Sequence, residues 1–156
     1  MKTKEHINGM VDISDKELTK RRAVAAAKVQ MTKETFKIFI EQGSPKGNVL
    51  ETAKIAGVMA AKLTPMMIPM CHPLELSKVK INFSVDKKKY LVDVESEVVC
   101  CGRTGVEMEA LTAVSAAALT IYDMMKFAGQ GMVITNIQLL HKSGGKSGVY
   151  EKSRFV

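Results

Sequence analysis

Apolar residues recur with two different periods along this chain, and the switches between them lay out its elements. Val79, Ile81, Phe83 and Val85 are spaced by two, as are Tyr90, Val92 and Val94 beyond a charged turn at residues 86–89. That alternation predicts two half-buried strands joined as a hairpin. Helical patterns flank the pair. Thr32 stands as a cap before "KETFKIFIEQ", which Gly43 can stop, and Asn48 with Glu51 precedes "VLETAKIAGVMAAKL", an amphipathic helix expected to end before Pro65. Thr104 and Glu107 have capping-box spacing at the start of a long helix, "GVEMEALTAVSAAALTIYDMMKF", with Gly129 as its stop. Ser14 and Glu17 have the same spacing and predict a short helical turn.

The run "RRAVAAAKVQM" satisfies both templates, since alanine favours helix while Ala23, Ala25, Ala27, Val29 and Met31 alternate like a strand face. Pro69 and Pro73 bracket an irregular segment, and "MVITNIQLL" reads as a last strand. Strands separated by helices, with one hairpin, point to an α+β domain whose helices cover one face of a mainly antiparallel sheet. Residues 1–13 are expected to be a flexible lead-in to a single domain over 14–156, which carries a mobile basic loop at 141–148.

Composition narrows the class. A chain of 156 residues with 46% hydrophobic and 25% charged positions suits one globular domain with a real core. No apolar run reaches the ~18 residues of a membrane helix, and the first residues lack the apolar stretch of a signal peptide, so a cytoplasmic address is expected. Cys71, Cys100 and Cys101 are odd in number without C-x-x-C spacing, which predicts reduced thiols. A net charge of +7 calls for an acidic partner. With 5% aromatics, no Trp and scattered lysines, a small polyphosphate suits the chain better than a nucleic acid stacked on aromatic rings.

Several residues are candidates for chemistry. The "HKSGGKSG" stretch ends like a P-loop, but the first glycine of that motif would fall at Leu140. What survives is a basic loop, Lys142 and Lys146 around Gly144 and Gly145, that either closes over an anion or is a solvated tail. The middle of the long helix, residues 110–118, is uncharged and small; charge returns at its ends as Glu107 and Glu109, then Asp123 and Lys126. The last two are three positions apart, which makes either an ordinary helical ion pair or a carboxylate that orients a catalytic lysine. Glu109 and Asp123 share a helix face but lie ~21 Å apart along the axis. One small substrate cannot reach both ends of one helix; if both ends are functional, the helix serves two pockets or an antiparallel partner brings opposite ends together, which predicts an oligomer with shared sites. Cys71 and His72 have only His6 and His141 as further imidazoles, too few and dispersed for a zinc set. His72 is then a substrate contact held between prolines, or a satisfied turn histidine. Lys46, beside Gly47 at a helix entry, either meets a phosphate or is another surface lysine.

Three blocks together carry a resemblance: "KGNVLETAKIAGVMAAK" with "IPMCHPLELSKV", then "TGVEMEALTAVSAAALTIYDMMK", then "KSGGKSG". From about Met10 to Gly148 the chain resembles the cyclic pyranopterin monophosphate synthases, the molybdenum cofactor biosynthesis protein C family. It departs from the family pattern at Asn48, where Asp is more common, and at Arg103, where Lys is. The resemblance implies a ferredoxin-like α+β fold and a cytoplasmic homohexamer, a trimer of dimers with active sites at subunit interfaces. It also implies a lyase that converts (8S)-3′,8-cyclo-7,8-dihydroguanosine 5′-triphosphate to cyclic pyranopterin monophosphate and releases pyrophosphate. Neither metal nor organic cofactor is implied, nor a nucleic-acid or membrane partner. Carried over residue by residue, Asp123, Lys126 and Lys46 take the catalytic positions. Met70, Cys71, His72, Met108, Glu109, Glu107, Lys142 and Arg21 take substrate-binding ones. Such chemistry moves protons repeatedly, so a lysine with its pKa lowered by neighbouring cations and desolvation is expected at the centre.

Overall fold

The structure, a computed structural model, describes residues 8–152, so His6 and the first part of the expected lead-in lie outside the described residues. Chain order is β1 (Thr19–Gln30), α1 (Lys33–Glu41), α2 (Val49–Met67), β2 (Leu76–Asp86), β3 (Leu91–Gly102), α3 (Glu107–Met125), a short 3-10 turn, β4 (Val133–Ser143) and β5 (Tyr150–Glu151). The sheet order is β2-β3-β1-β4-β5 and every pairing is antiparallel. Without the short β5, this order and connectivity are those of a ferredoxin-like α+β fold.

The ambiguous alanine run is β1, the central strand, and packing explains why it is not a helix. Ala23, Ala25, Ala27 and Val29 are fully buried on one face, opposite the equally buried Ala110, Ala113, Ala117 and Ala118 of α3. Small residues on both sides let the helix backbone lie close to the strand, and this burial outweighs the helix propensity of alanine. Ser96 of β3 fastens the contact, its buried hydroxyl donating to the Ala110 carbonyl at 2.8 Å. α2 lies beside α3 and reaches β2, so both long helices cover the same sheet face. The opposite face is polar; there Glu97 accepts from Arg22 at 2.7 Å and from Lys78 at 2.8 Å.

Caps and ends correct the sequence expectations in detail. Thr32 and Asn48 cap α1 and α2 as expected, each accepting from the backbone three residues on. α2 runs past Pro65 to Met67: proline lacks only its own N–H, and the Ile68 N–H continues the ladder to Thr64 at 2.9 Å. The capping box expected at Thr104 and Glu107 does not form. Val106 is the N-cap without a side-chain bond, and the Glu107 carboxylate is drawn to Lys142. Nor do Ser14 and Glu17 start a helix; the Ser14 hydroxyl is engaged by Asp12 at 2.6 Å in a turn. The stretch expected as a basic loop begins later than the sequence suggested, because residues 141–143 belong to β4. Among the described residues no helix is long and apolar enough to cross a membrane.

Candidate active site

The first turn of α3, the segment between the two prolines and the irregular, turn-containing stretch before β1 enclose a cleft of about 270 Å³. Met70, Cys71, His72, Glu107, Met108 and Glu109 all line it, together with Val11, Ile13 and Lys16. Glu109 is 3% exposed. Burial pushes its carboxyl above the usual range and Glu107 adds to the effect, while its own backbone N–H opposes it. Cys71 is pushed up as well, by burial and then by Glu109, so its thiol is not primed as a nucleophile.

A polar groove of about 190 Å³ adjoins the cleft and shares Lys16, Thr104, Gly105 and Glu107 with it. Arg21, Arg22, Arg103 and Lys142 supply its positive charge. Arg21 is held near the start of β1 by donating from Nε to the Gly102 carbonyl and from Nη1 to that of Gly144, both at 3.2 Å. Lys142 donates to Glu107 at 3.0 Å. Gly105 makes room for that pair, since a Cβ there would fall 2.0 Å from a Glu107 carboxylate oxygen. An excess of cations beside a cleft of mixed polarity suits a ligand with an organic ring at one end and phosphates at the other.

The remaining candidates meet at the other end of α3. Asp123 accepts from Lys46 at 2.6 Å through one carboxylate oxygen and pairs with Lys126 at 2.8 Å through the other. Hydrogen bonds from Lys126 and then Lys46 hold its pKa down to about 2. Lys46 comes from the turn before α2. Ser44 in that turn donates to the Met124 carbonyl at 2.7 Å and accepts from the Lys46 N–H at 3.2 Å. The Met124 carbonyl belongs to the last turn of the helix, where carbonyls lack intrahelical donors and cations are favoured. Ser44 is thus the residue that delivers Lys46, and the sequence reading missed it; its only trace was a "SPKG" turn before the Asn48 cap. Lys126 departs from expectation. Asp123 raises its pKa rather than leaving it lowered, so in a single chain it is a firmly protonated ammonium.

None of these three residues lines the cleft or the groove. α3 is unbroken between Glu109 and Asp123, which keeps the two groups ~21 Å apart along its axis.

Residues 10–145 match the MoaC family. The chain belongs to that family. It is 55% identical over 141 residues to the cyclic pyranopterin monophosphate synthase of Desulfatibacillum aliphaticivorans, covering 90% of this chain and 89% of the relative. It is 53% identical to the same-named protein of Thermoanaerobacter sp. (strain X514), over 92% and 90% of the two chains. For that of Staphylococcus aureus (strain MW2) the identity is 51%, over 92% and 89%. In this MoaC chain the candidates suggested by the sequence therefore fall into two groups. Eight residues gather around the cleft and groove and three at the far end of α3.

Proposed function

We infer that this chain is a cyclic pyranopterin monophosphate synthase, a cytoplasmic lyase of molybdenum cofactor biosynthesis. Its substrate is the 3′,8-cyclised dihydro derivative of GTP, and its products are cyclic pyranopterin monophosphate and pyrophosphate. The observation that carries the reading, beyond family membership, is the cleft and cationic groove side by side at one end of α3, with a lysine-aspartate-lysine cluster at the other.

In this reading the site is completed across a subunit boundary. The cleft of one chain holds the ring system through Met70, Cys71, His72, Met108 and Glu109. The groove holds the triphosphate through Arg21 and Lys142, with Glu107 keeping Lys142 in place. A partner presents its Lys46, Asp123 and Lys126 to the ring, and residues 14–156 act as one catalytic domain. An apolar stripe along α2 supports assembly: Ile55, Met59, Leu63 and Met66 recur at helical spacing and are 46–83% exposed. A stripe of that kind on a charged protein marks an interaction surface, and the homohexamer, a trimer of dimers, is the assembly we propose for it.

Lys126 enters the reaction as an acid, because Asp123 favours its ammonium form. It donates a proton as the guanine-derived five-membered ring opens. Asp123 fixes the position of both amines, and Lys46 moves protons on the other side of the ring. A ribose hydroxyl then attacks the α-phosphorus and gives up its proton to water, the bond from the α-phosphorus to the oxygen bridging to the β-phosphate breaks, and groove cations stabilise the departing pyrophosphate. The test is a pyrophosphate-release assay with the cyclised dihydro-GTP. Wild-type protein turns it over, and Asp123→Asn and Lys126→Ala lose turnover while keeping fold and assembly. Near-normal release by both variants contradicts the roles given to them.

A further inference from the structure

Where β2 turns into β3, the hairpin and α1 enclose a cavity of about 220 Å³ that shares no residue with the cleft, the groove or the lysine-aspartate-lysine cluster. Its floor is apolar. Phe36 packs against Tyr90 with ring centroids 5.6 Å apart, and Ile40 beside them is 46% exposed. Lys33, Lys37 and Lys87 stand around this floor, with Glu41 as the one carboxylate among the lining residues. Among the described residues these three ammonium groups make no ion pair or hydrogen bond.

The lysines are placed against local preference. Lys33 is the first residue of α1, where the helix dipole disfavours a cation, and Lys37 follows it one turn later on the same face. Asp86, the acid next to Lys87 in the chain, is turned to the main chain, its Oδ1 accepting from the Lys88 and Lys89 N–H groups at 2.9 and 3.0 Å. The wall of the cavity is also preformed. Tyr90 has φ +55°, a conformation uncommon for bulky residues. Its carbonyl accepts from the Met31 N–H at 2.9 Å, and Gln30 donates to the neighbouring Lys89 carbonyl at 2.6 Å.

Size and charge select the occupant. The cavity is smaller than the roughly 300 Å³ at which sites for whole small molecules begin, but one aliphatic or aromatic side chain suits it. Phe36 is buried and Tyr90 leans on it at 57°, so no pair of open rings is offered to stacked bases. A second copy docking through the same face would set lysine against lysine, and residues 1–7 and 153–156 of this chain carry more basic than acidic side chains. We propose that the cavity docks an acidic segment of a partner protein. One apolar side chain of that segment enters between Phe36, Ile40 and Tyr90, and carboxylates on either side of it meet Lys33, Lys37 and Lys87. An apolar anchor in a pocket with a charged rim gives such a contact both its hold and its selectivity.

Peptide display on the folded, full-length protein tests this, with binders of other faces first depleted on Ile40→Ser. The remaining peptides should share Asp or Glu on both sides of an aliphatic or aromatic residue. A synthetic consensus peptide, titrated by fluorescence anisotropy, should bind Lys37→Glu about fivefold more weakly than wild type. Lys80→Glu makes the same charge change on the exposed face of β2, opposite Glu97, and should bind as wild type. Thermal unfolding checks that each variant is folded, and Lys33→Glu repeats the charge test should Lys37→Glu not fold. Failure to retain any peptide after depletion overturns the proposal, as does a consensus without acidic residues or equal affinities of Lys37→Glu and Lys80→Glu. An oligouridylate that binds wild type and is weakened by Lys37→Glu, where the peptide is not, assigns the face to nucleic acid and overturns it too.

Discussion

Gly145 and Gly148 sit in one basic turn with nearly the same left-handed backbone, φ +74° and +70°, but a side chain at each meets different surroundings. A Cβ on Gly148 enters open space, whereas one on Gly145 falls 2.0 Å from Nη1 of Arg21 and 2.6 Å from its Cζ. Gly148→Ala therefore carries only the cost of left-handed alanine, about 1–2 kcal/mol. In a chain of this size each kcal/mol lowers Tm by about 2–4 °C. Gly145→Ala has the same backbone cost and in addition expels the guanidinium, breaking its 3.2 Å bonds to the Gly102 and Gly144 carbonyls. If Arg21 binds the triphosphate from that position, a charge-assisted contact of about 1.5–3 kcal/mol goes with it, and KM rises at least about tenfold. Pyrophosphate release and thermal unfolding, measured on both variants, separate the two effects. A larger loss of Tm in Gly145→Ala than in Gly148→Ala, and a KM increase confined to Gly145→Ala, are expected. Equal KM values in the two variants refute the role given to Arg21 and to the turn that holds it.

Other outcomes follow from the same structure. The Glu97 carboxyl lies at about 2 instead of 4.5 because Lys78 and Arg22 hydrogen-bond its charged form. A depressed carboxylate stabilises the fold above its unfolded pKa and loses that contribution as pH falls towards its folded one. Glu97→Gln should thus cost about 1–2 kcal/mol at neutral pH, once solvent screening is allowed for. In urea unfolding the gap to wild type should narrow from pH 4.5 downwards, and a widening gap contradicts the assignment. Gly57 of α2 faces α3, and a Cβ there would sit 3.1 Å from both the Ala113 carbonyl and the Ile81 side chain. Gly57→Val should overpack this contact and cost about 1–3 kcal/mol by thermal unfolding; an unchanged Tm would show that the helices separate freely.

Much of this architecture was legible because alternation and capping act locally. β2, β3 and the caps at Thr32 and Asn48 follow from neighbours in sequence, and so does the pairing of Asp123 with Lys126. What escaped depends on residues far apart in the chain. β1 is a strand because α3 presses alanine against alanine, a contact between positions roughly ninety residues apart by number. Thr104 and Glu107 have the right spacing for a capping box, but Lys142 competes for the carboxylate from the end of β4. Ser14 is similarly taken by Asp12, and no local rule tells a cap from such a turn. The lowered lysine pKa inferred from chemistry alone met the opposite outcome at Lys126, since the same aspartate that orients it also stabilises its charge.

The claim on which the functional account turns is that one active site draws on two chains. Mixed oligomers of Asp123→Asn and His72→Ala, each inactive alone, test it directly. If each site takes Asp123 from one chain and His72 from its partner, random mixing in equal amounts restores about a quarter of wild-type pyrophosphate release. No activity above that of the parents, in oligomers shown to contain both chains, contradicts the shared site.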